Sequence, residues 1–180
     1  MDWNTMLGLT QRLKQDRKYR DYLLITMGCY FGLRIGDLLK LKWKDVLGKN
    51  ELVLIESKTK KVRRITINPK VAETLNFCSI YRKSNDENVY LFANRWGDPV
   101  TISYVNKRLK YTFDKYGVQV QNSSSHTLRK TFGKRVYESD NKSERALVYL
   151  SEIFGHSSLT ITRRYIGIRQ QELSEVYLGI

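Results

Sequence analysis

The chain has 180 residues, with 32 Lys and Arg against 18 Asp and Glu, a formal charge of +14 with both histidines neutral. Hydrophobic residues at 41% and charged residues at 28% describe a globular chain long enough for a real core and exclude wholesale disorder. No apolar run approaches the roughly 18 residues that cross a bilayer, residues 1–10 lack the pattern of a secretory leader, and the charge surplus points to a polyanionic partner.

Without low-complexity segments, repeats or a Pro/Gly-rich linker, the chain reads as one domain. Apolar periodicity predicts a helix from about Lys18 to Tyr30, broken by Gly32, and a short helix over Ile35–Leu41. Glu51–Glu56 and Val62–Ile67 have β-type composition, and the Lys-rich segment Ser57–Lys61 joins them as a hairpin loop. Asn68 and Pro69 form a capping pair that opens a helix to about Lys83. Ser84–Asn88 is loop, Gly97-Asp98-Pro99 a turn, and Thr101–Tyr116 a helix ended by Gly117. Four helices follow, over His126–Ser139, Ser143–Phe154, Leu159–Tyr165 and Gln170–Leu178. The fold class is therefore α+β, mostly α-helical with one small antiparallel β-sheet. Cys29 and Cys78 each lie in an apolar stretch with no metal-ligand spacing and read as buried thiols in a reducing compartment.

Three compact clusters carry chemically able side chains. In His126-Thr127-Leu128-Arg129, the three-residue spacing at a helix start puts imidazole and guanidinium on one face. In Gly155-His156-Ser157-Ser158, the histidine is followed nine residues later by Tyr165. Gly32-Leu33-Arg34-Ile35-Gly36-Asp37 places Arg34 at a helix N-terminus, which attracts anions. The hairpin tip adds Lys58. Singly each has an ordinary explanation: a cap, a solvated turn, a structural ion pair. Together, two Arg, one Lys and two His are the donors that grip a phosphodiester and neutralise its oxygens, and a tyrosine beside them is a nucleophile that needs no metal.

This combination, in this order, resembles the tyrosine recombinases, or phage integrase family. The resemblance spans about Lys18 to Leu178 and is to their C-terminal catalytic domain, whose DNA breaking-rejoining fold it implies. It implies site-specific DNA recombination or integration by a metal- and ATP-independent transesterification, with no cofactor. Tyr165 would attack a phosphodiester to leave a covalent 3′-phosphotyrosyl link and a free 5′-hydroxyl, and a second strand's hydroxyl would reverse the step. By the same resemblance His126 is the candidate base, Lys58 the acid that protonates the leaving 5′-oxygen, and Arg34, Arg129 and His156 the clamp on the scissile phosphate. Asp37 is expected to orient Arg34 or His126. Tyr177 is read as packing.

The remaining basic residues near these motifs, Lys60, Lys61, Arg63, Arg64, Lys130, Lys134, Arg163 and Arg164, are expected to line a DNA-facing surface and grip flanking phosphates. The expected partners are double-stranded DNA, further copies of the chain in a dimer or tetramer on DNA, and an accessory DNA-bending or core-binding protein. No membrane is involved, and the expected location is the cytoplasm, on the nucleoid. Residues 1–17 read as a lead-in, 18–180 as the catalytic domain, and the family's preceding core-binding domain as absent. Two readings compete: type IB topoisomerase-like nicking and resealing, which normally has Lys where this chain has His126, and a catalytically silent DNA-binding module.

Overall fold

The computed structural model describes residues 1–82, 84–168, 174 and 177–179. In chain order it contains α1 (Trp3–Gln15), α2 (Tyr19–Phe31), α3 (Ile35–Leu38), α4 (Trp43–Val46), β1 (Glu51–Ile55), β2 (Val62–Thr66), α5 (Pro69–Ser79), α6 (Ile102–Lys115), α7 (Ser125–Ser139), α8 (Glu144–Phe154) and α9 (Leu159–Ile166). The expected helical fold with one antiparallel pair is the one observed. Among the described residues no helix is long and apolar enough to cross a membrane.

Residues 1–17, expected as a lead-in, are built into the core. Asp2 caps α1, its Oδ1 accepting the Thr5 N–H at 2.8 Å. Met6, Leu9 and Leu13 recur at helical spacing, and all three are at most 1% exposed. They join a large apolar cluster with α2, α5, α6 and Leu128 of α7. A second, smaller cluster holds Tyr137, Leu147, Leu150, Phe154 and Ile166, from α7, α8 and α9. Helix α7 therefore belongs to both clusters, and the seam between them runs along it.

Caps explain most helix starts. The Asn68, Thr101, Ser143 and Ser158 side chains each accept a backbone N–H from the first turn of α5, α6, α8 and α9. α3 is shorter than expected, α4 was not expected, and α5 stops at Ser79 instead of near Lys83. The expected helix over Gln170–Leu178 falls largely outside the described residues; Tyr177, expected to pack, is 79% exposed. Both cysteines are buried.

The strand register pairs Leu52 with Ile65, Val53 with Arg64, and Leu54 with Arg63. Side chains alternate between faces, so Arg63 shares a face with Leu52 and Leu54, and Arg64 points to the other. Gly32 ends α2 in the left-handed region at φ +55°, and a Cβ there would meet the Phe132 ring at 2.4 Å. Gly155 ends α8 at φ +63°. Both turns need glycine for their dihedral angle, and Gly32 also for the close approach of α7.

Because Leu9 is fully buried, Leu9→Ala is expected to lower stability by about 2–5 kcal/mol in urea unfolding. A change under about 0.5 kcal/mol, typical of surface positions, would show that α1 is not part of the core.

Candidate active site

The C-terminal ends of α2 and α8 converge, and each leaves carbonyls that no helical N–H can reach. At the end of α8 the turn at Gly155 takes two of them: Gly155 N–H bonds to Glu152 O and His156 N–H to Ser151 O. The next two, Ile153 O and Phe154 O, face three arginines. Arg34 Nη2 donates to Phe154 O at 2.9 Å, Arg129 Nη2 to the same oxygen at 3.1 Å, and Arg63 Nη1 to Ile153 O at 3.3 Å. At the end of α2, Phe31 O accepts from Arg63 Nη2 at 3.0 Å and Gly32 O from Arg129 Nη1 at 2.9 Å. The partial negative charge of two helix C-termini thus holds three guanidiniums side by side.

One carboxylate completes this base. Glu56, 6% exposed at the end of β1, accepts from Arg34 Nη1 at 2.8 Å, Thr59 Oγ1 at 2.7 Å and Arg63 Nη1 at 3.3 Å. Burial alone would raise its pKa, but the hydrogen bonds of Thr59, Arg34 and Arg63 and the charge of Arg34 hold it below the usual value. Burial lowers the Arg63 pKa. Burial and the charges of Arg34 and Arg63 push Arg129 down to about 10, so it stays charged at neutral pH.

All six residues expected to do chemistry (Arg34, Lys58, His126, Arg129, His156 and Tyr165) line one open cleft of about 440 Å³. A larger groove elsewhere, of about 890 Å³, contains none of them. His126 stands in the first turn of α7, whose start is fixed from outside: Ser124 makes no side-chain cap, and Asn106 Oδ1 of α6 accepts the Ser125 N–H at 2.9 Å. His126 Nδ1 lies 3.3 Å from the Tyr165 hydroxyl. His156 Nδ1 lies 3.0 Å from Thr162 Oγ1, which ties the ring to α9. Tyr165 is half-buried, with its ring centroid 5.3 Å from Phe154 and 5.2 Å from His156. Burial raises its pKa, opposed by the charges of Arg129 and Arg34. Burial, then the charges of Arg129 and Arg34, lowers the His156 pKa. An acceptor within reach of a phenol, with donors gathered around it, is the arrangement general-base-assisted attack on a phosphate requires.

Two expectations need correction. The Asp37 carboxylate bonds to neither Arg34 nor His126: the residue is 4% exposed, its Oδ1 accepts the Ser57 N–H at 2.9 Å, and its Oδ2 has no hydrogen-bond partner among the described residues. Arg34 is the extended N-cap of α3, at ψ 141°, so the three-residue spacing does not stack the two side chains, and Glu56 takes the role. Arg63 does not face flanking phosphates. Its side chain is 14% exposed and bonded to Glu56 and two carbonyls, because strand alternation turns it inward. Lys60, Lys61, Arg64, Lys130 and Arg164 are exposed, while Lys134 and Arg163 are half-buried. Arg64 pairs with Glu51 at 2.9 Å, an exposed contact of little energetic weight. Lys130 Nζ lies 5.8 Å from the Tyr165 ring centroid. Glu56 was missed by the sequence reading; its one signal was an acid at the inner end of a strand facing a row of basic residues.

A model of the phage integrase family matches residues 2–172. The chain is 36% identical over 171 residues to the probable integrase/recombinase YoeC of Bacillus subtilis, covering 93% of this chain and 90% of that protein. It is 31% identical over 157 residues to the tyrosine recombinase XerH of Campylobacter jejuni, covering 86% of this chain but 43% of the relative. Among solved structures, XerA recombinase superposes with a TM-score of 0.74 at 22% identity, over 99% of this chain and 64% of that one. XerH bound to a palindromic difH substrate gives 0.72 at 22% identity, over 98% and 52%. The fold is that of the tyrosine recombinase catalytic domain, and the chain spans about half the length of the XerH and XerC relatives it matches.

Since Arg129 opposes protonation of His156 and favours ionisation of Tyr165, Arg129→Gln is expected to raise both pKa values, read by NMR titration of the labelled rings. A fall in either would contradict the electrostatic assignment.

Proposed function

We propose that this chain, which belongs to the phage integrase family, catalyses site-specific DNA recombination by cutting and rejoining strands through a covalent 3′-phosphotyrosyl intermediate. The observation that carries the reading is the gathering of Tyr165, both clamp arginines, Lys58, His126 and His156 in one cleft. The Tyr165 oxygen attacks the scissile phosphorus and the bond to the 5′-oxygen breaks. A phenol with a pKa near or above about 10 is scarcely ionised at pH 7. His126, 3.3 Å away, takes its proton as the attack proceeds. Lys58 protonates the departing 5′-oxygen, which is otherwise a poor leaving group. Arg34 and Arg129 keep N–H donors beyond those bonded to the protein, and these neutralise the non-bridging oxygens. His156 donates a further hydrogen bond to the phosphate. A 5′-hydroxyl from a second strand then attacks the phosphotyrosyl bond and releases Tyr165. One diester bond replaces another, so no energy source is required.

The same proposal has the chain working on double-stranded DNA as a dimer or tetramer, in the cytoplasm on the nucleoid. XerH and related recombinases were solved on DNA, and one such structure is a lambda integrase dimer bound to a core site. An accessory DNA-bending or core-binding partner belongs to the proposal as well. Nicking and resealing alone is the weaker reading, because the relatives found are named integrases and recombinases.

Nicked duplexes carrying sites selected from genomic DNA by binding to this chain are expected to trap a covalent adduct on a denaturing gel. Tyr165→Phe is expected to abolish it; an adduct that persists would remove Tyr165 as nucleophile. Joining of two different duplexes distinguishes recombination from relaxation. With about five exposed cations on phosphates, affinity is expected to fall roughly 100- to 1000-fold between 50 and 200 mM salt. A salt-independent affinity would overturn the assigned DNA surface.

A further inference from the structure

We propose that Glu56 is a positioning residue that couples the phosphate clamp to the loop presenting Lys58; this inference rests on the recombinase reading above. Three sets of contacts carry it. First, a single oxygen, Glu56 Oε2, accepts from both Arg34 Nη1 at 2.8 Å and Thr59 Oγ1 at 2.7 Å. The arginine that grips the phosphate and the residue beside Lys58 are therefore fixed by one atom. Second, the main chain of Glu56 closes the same loop: its N–H donates to Lys61 O at 3.0 Å and its carbonyl accepts the Lys60 N–H at 2.9 Å. With Ser57 N–H held by Asp37, the backbone around Lys58 is pinned on both sides. Third, the loop seats on the end of α8. A Cβ at Gly155 would lie 3.8 Å from the Thr59 methyl and 3.4 Å from Arg34 Nη2, so clamp and loop meet at one point.

The chemistry needs this coupling. Lys58 is exposed on a flexible stem, and its reach to the 5′-oxygen is set by where its loop stands relative to the phosphate. That phosphate is in turn located by Arg34. A carboxylate gripping both makes their separation a property of one side chain. Arg63, held by Glu56 Oε1 and two helix-end carbonyls, keeps the carboxylate from turning.

The test measures single-turnover cleavage at saturating DNA on two duplexes, one normal and one with sulfur in place of the bridging 5′-oxygen. A thiolate leaves without a proton, so the sulfur duplex removes the need for Lys58. On the normal duplex, Glu56→Gln is expected to slow cleavage about 100-fold, the scale of a misplaced reacting group. Thr59→Val, which removes the loop's bond to Glu56 together with a long 3.4 Å contact from the Lys61 N–H inside the loop, is expected to slow it about tenfold. On the sulfur duplex Thr59→Val should regain the wild-type rate, and Glu56→Gln should regain only part, keeping the defect transmitted through Arg34. A wild-type rate for Glu56→Gln on the normal duplex would overturn the proposal. So would an equal loss on both duplexes, or a Thr59→Val defect that sulfur does not relieve. If thermal melting shows that Glu56→Gln does not fold, Thr59→Val decides the matter alone. Wild-type chain that cleaves neither duplex would strike the recombinase reading itself.

Discussion

Three guanidiniums stand side by side with one carboxylate between them, and the architecture of this chain follows from making that tolerable. Like charges brought out of water repel strongly, and each unsatisfied N–H adds a desolvation cost. The structure answers with groups that every helix has in surplus, the carbonyls of its last turn. Phe31, Gly32, Ile153 and Phe154 supply them, and Phe154 O serves two arginines at once. The left-handed turns at Gly32 and Gly155 matter because they end the helices where those oxygens become available. A helix end is normally capped for its own sake; here two are left open so that the arginines can complete them.

The cleft above this base carries more positive than negative charge, which suits it to an anion. The arginine charges favour proton loss from both acid–base neighbours, and burial is what separates them. Burial and the arginine charges both work against an imidazolium at His156, while for Tyr165 burial favours the phenol and the arginines favour the phenolate. The arginines thus ease ionisation of the proposed nucleophile while withholding a proton from the histidine nearest it in the ring stack.

Much of this was legible in the sequence, for identifiable reasons. The six residues that line the cleft stood in short motifs whose order resembles that of the phage integrase family. The hairpin was legible from its β-type runs, and the helices from periodicity and from caps such as Asn68 and Ser143. What escaped was set by orientation. Arg63 and Arg64 are the same residue type one position apart, and only the register against Leu54 and Val53 sends one inward and the other out. Asp37 has helical spacing from Arg34, but Arg34 precedes the helix it caps, so the periodic rule does not reach it. Glu56 looked like the polar end of a strand, and its importance lies in partners 22 residues before it and 7 residues after it. Residues 1–17 hold Met6, Leu9 and Leu13 at helical spacing, a shorter pattern than the apolar run that begins near Lys18.

The division of the interior into two apolar clusters bears on how the chain comes off the ribosome. Arg34 and Lys58 are carried by elements of the first cluster, His156 and Tyr165 by elements of the second, and the bonds that bolt them together span 97 and 120 residues of sequence. A nascent chain that has folded only its first cluster lacks the tyrosine and the two α8 carbonyls, Ile153 O and Phe154 O, that help hold the arginines. A protein proposed to cut DNA therefore has its complete site only while both clusters are folded and joined.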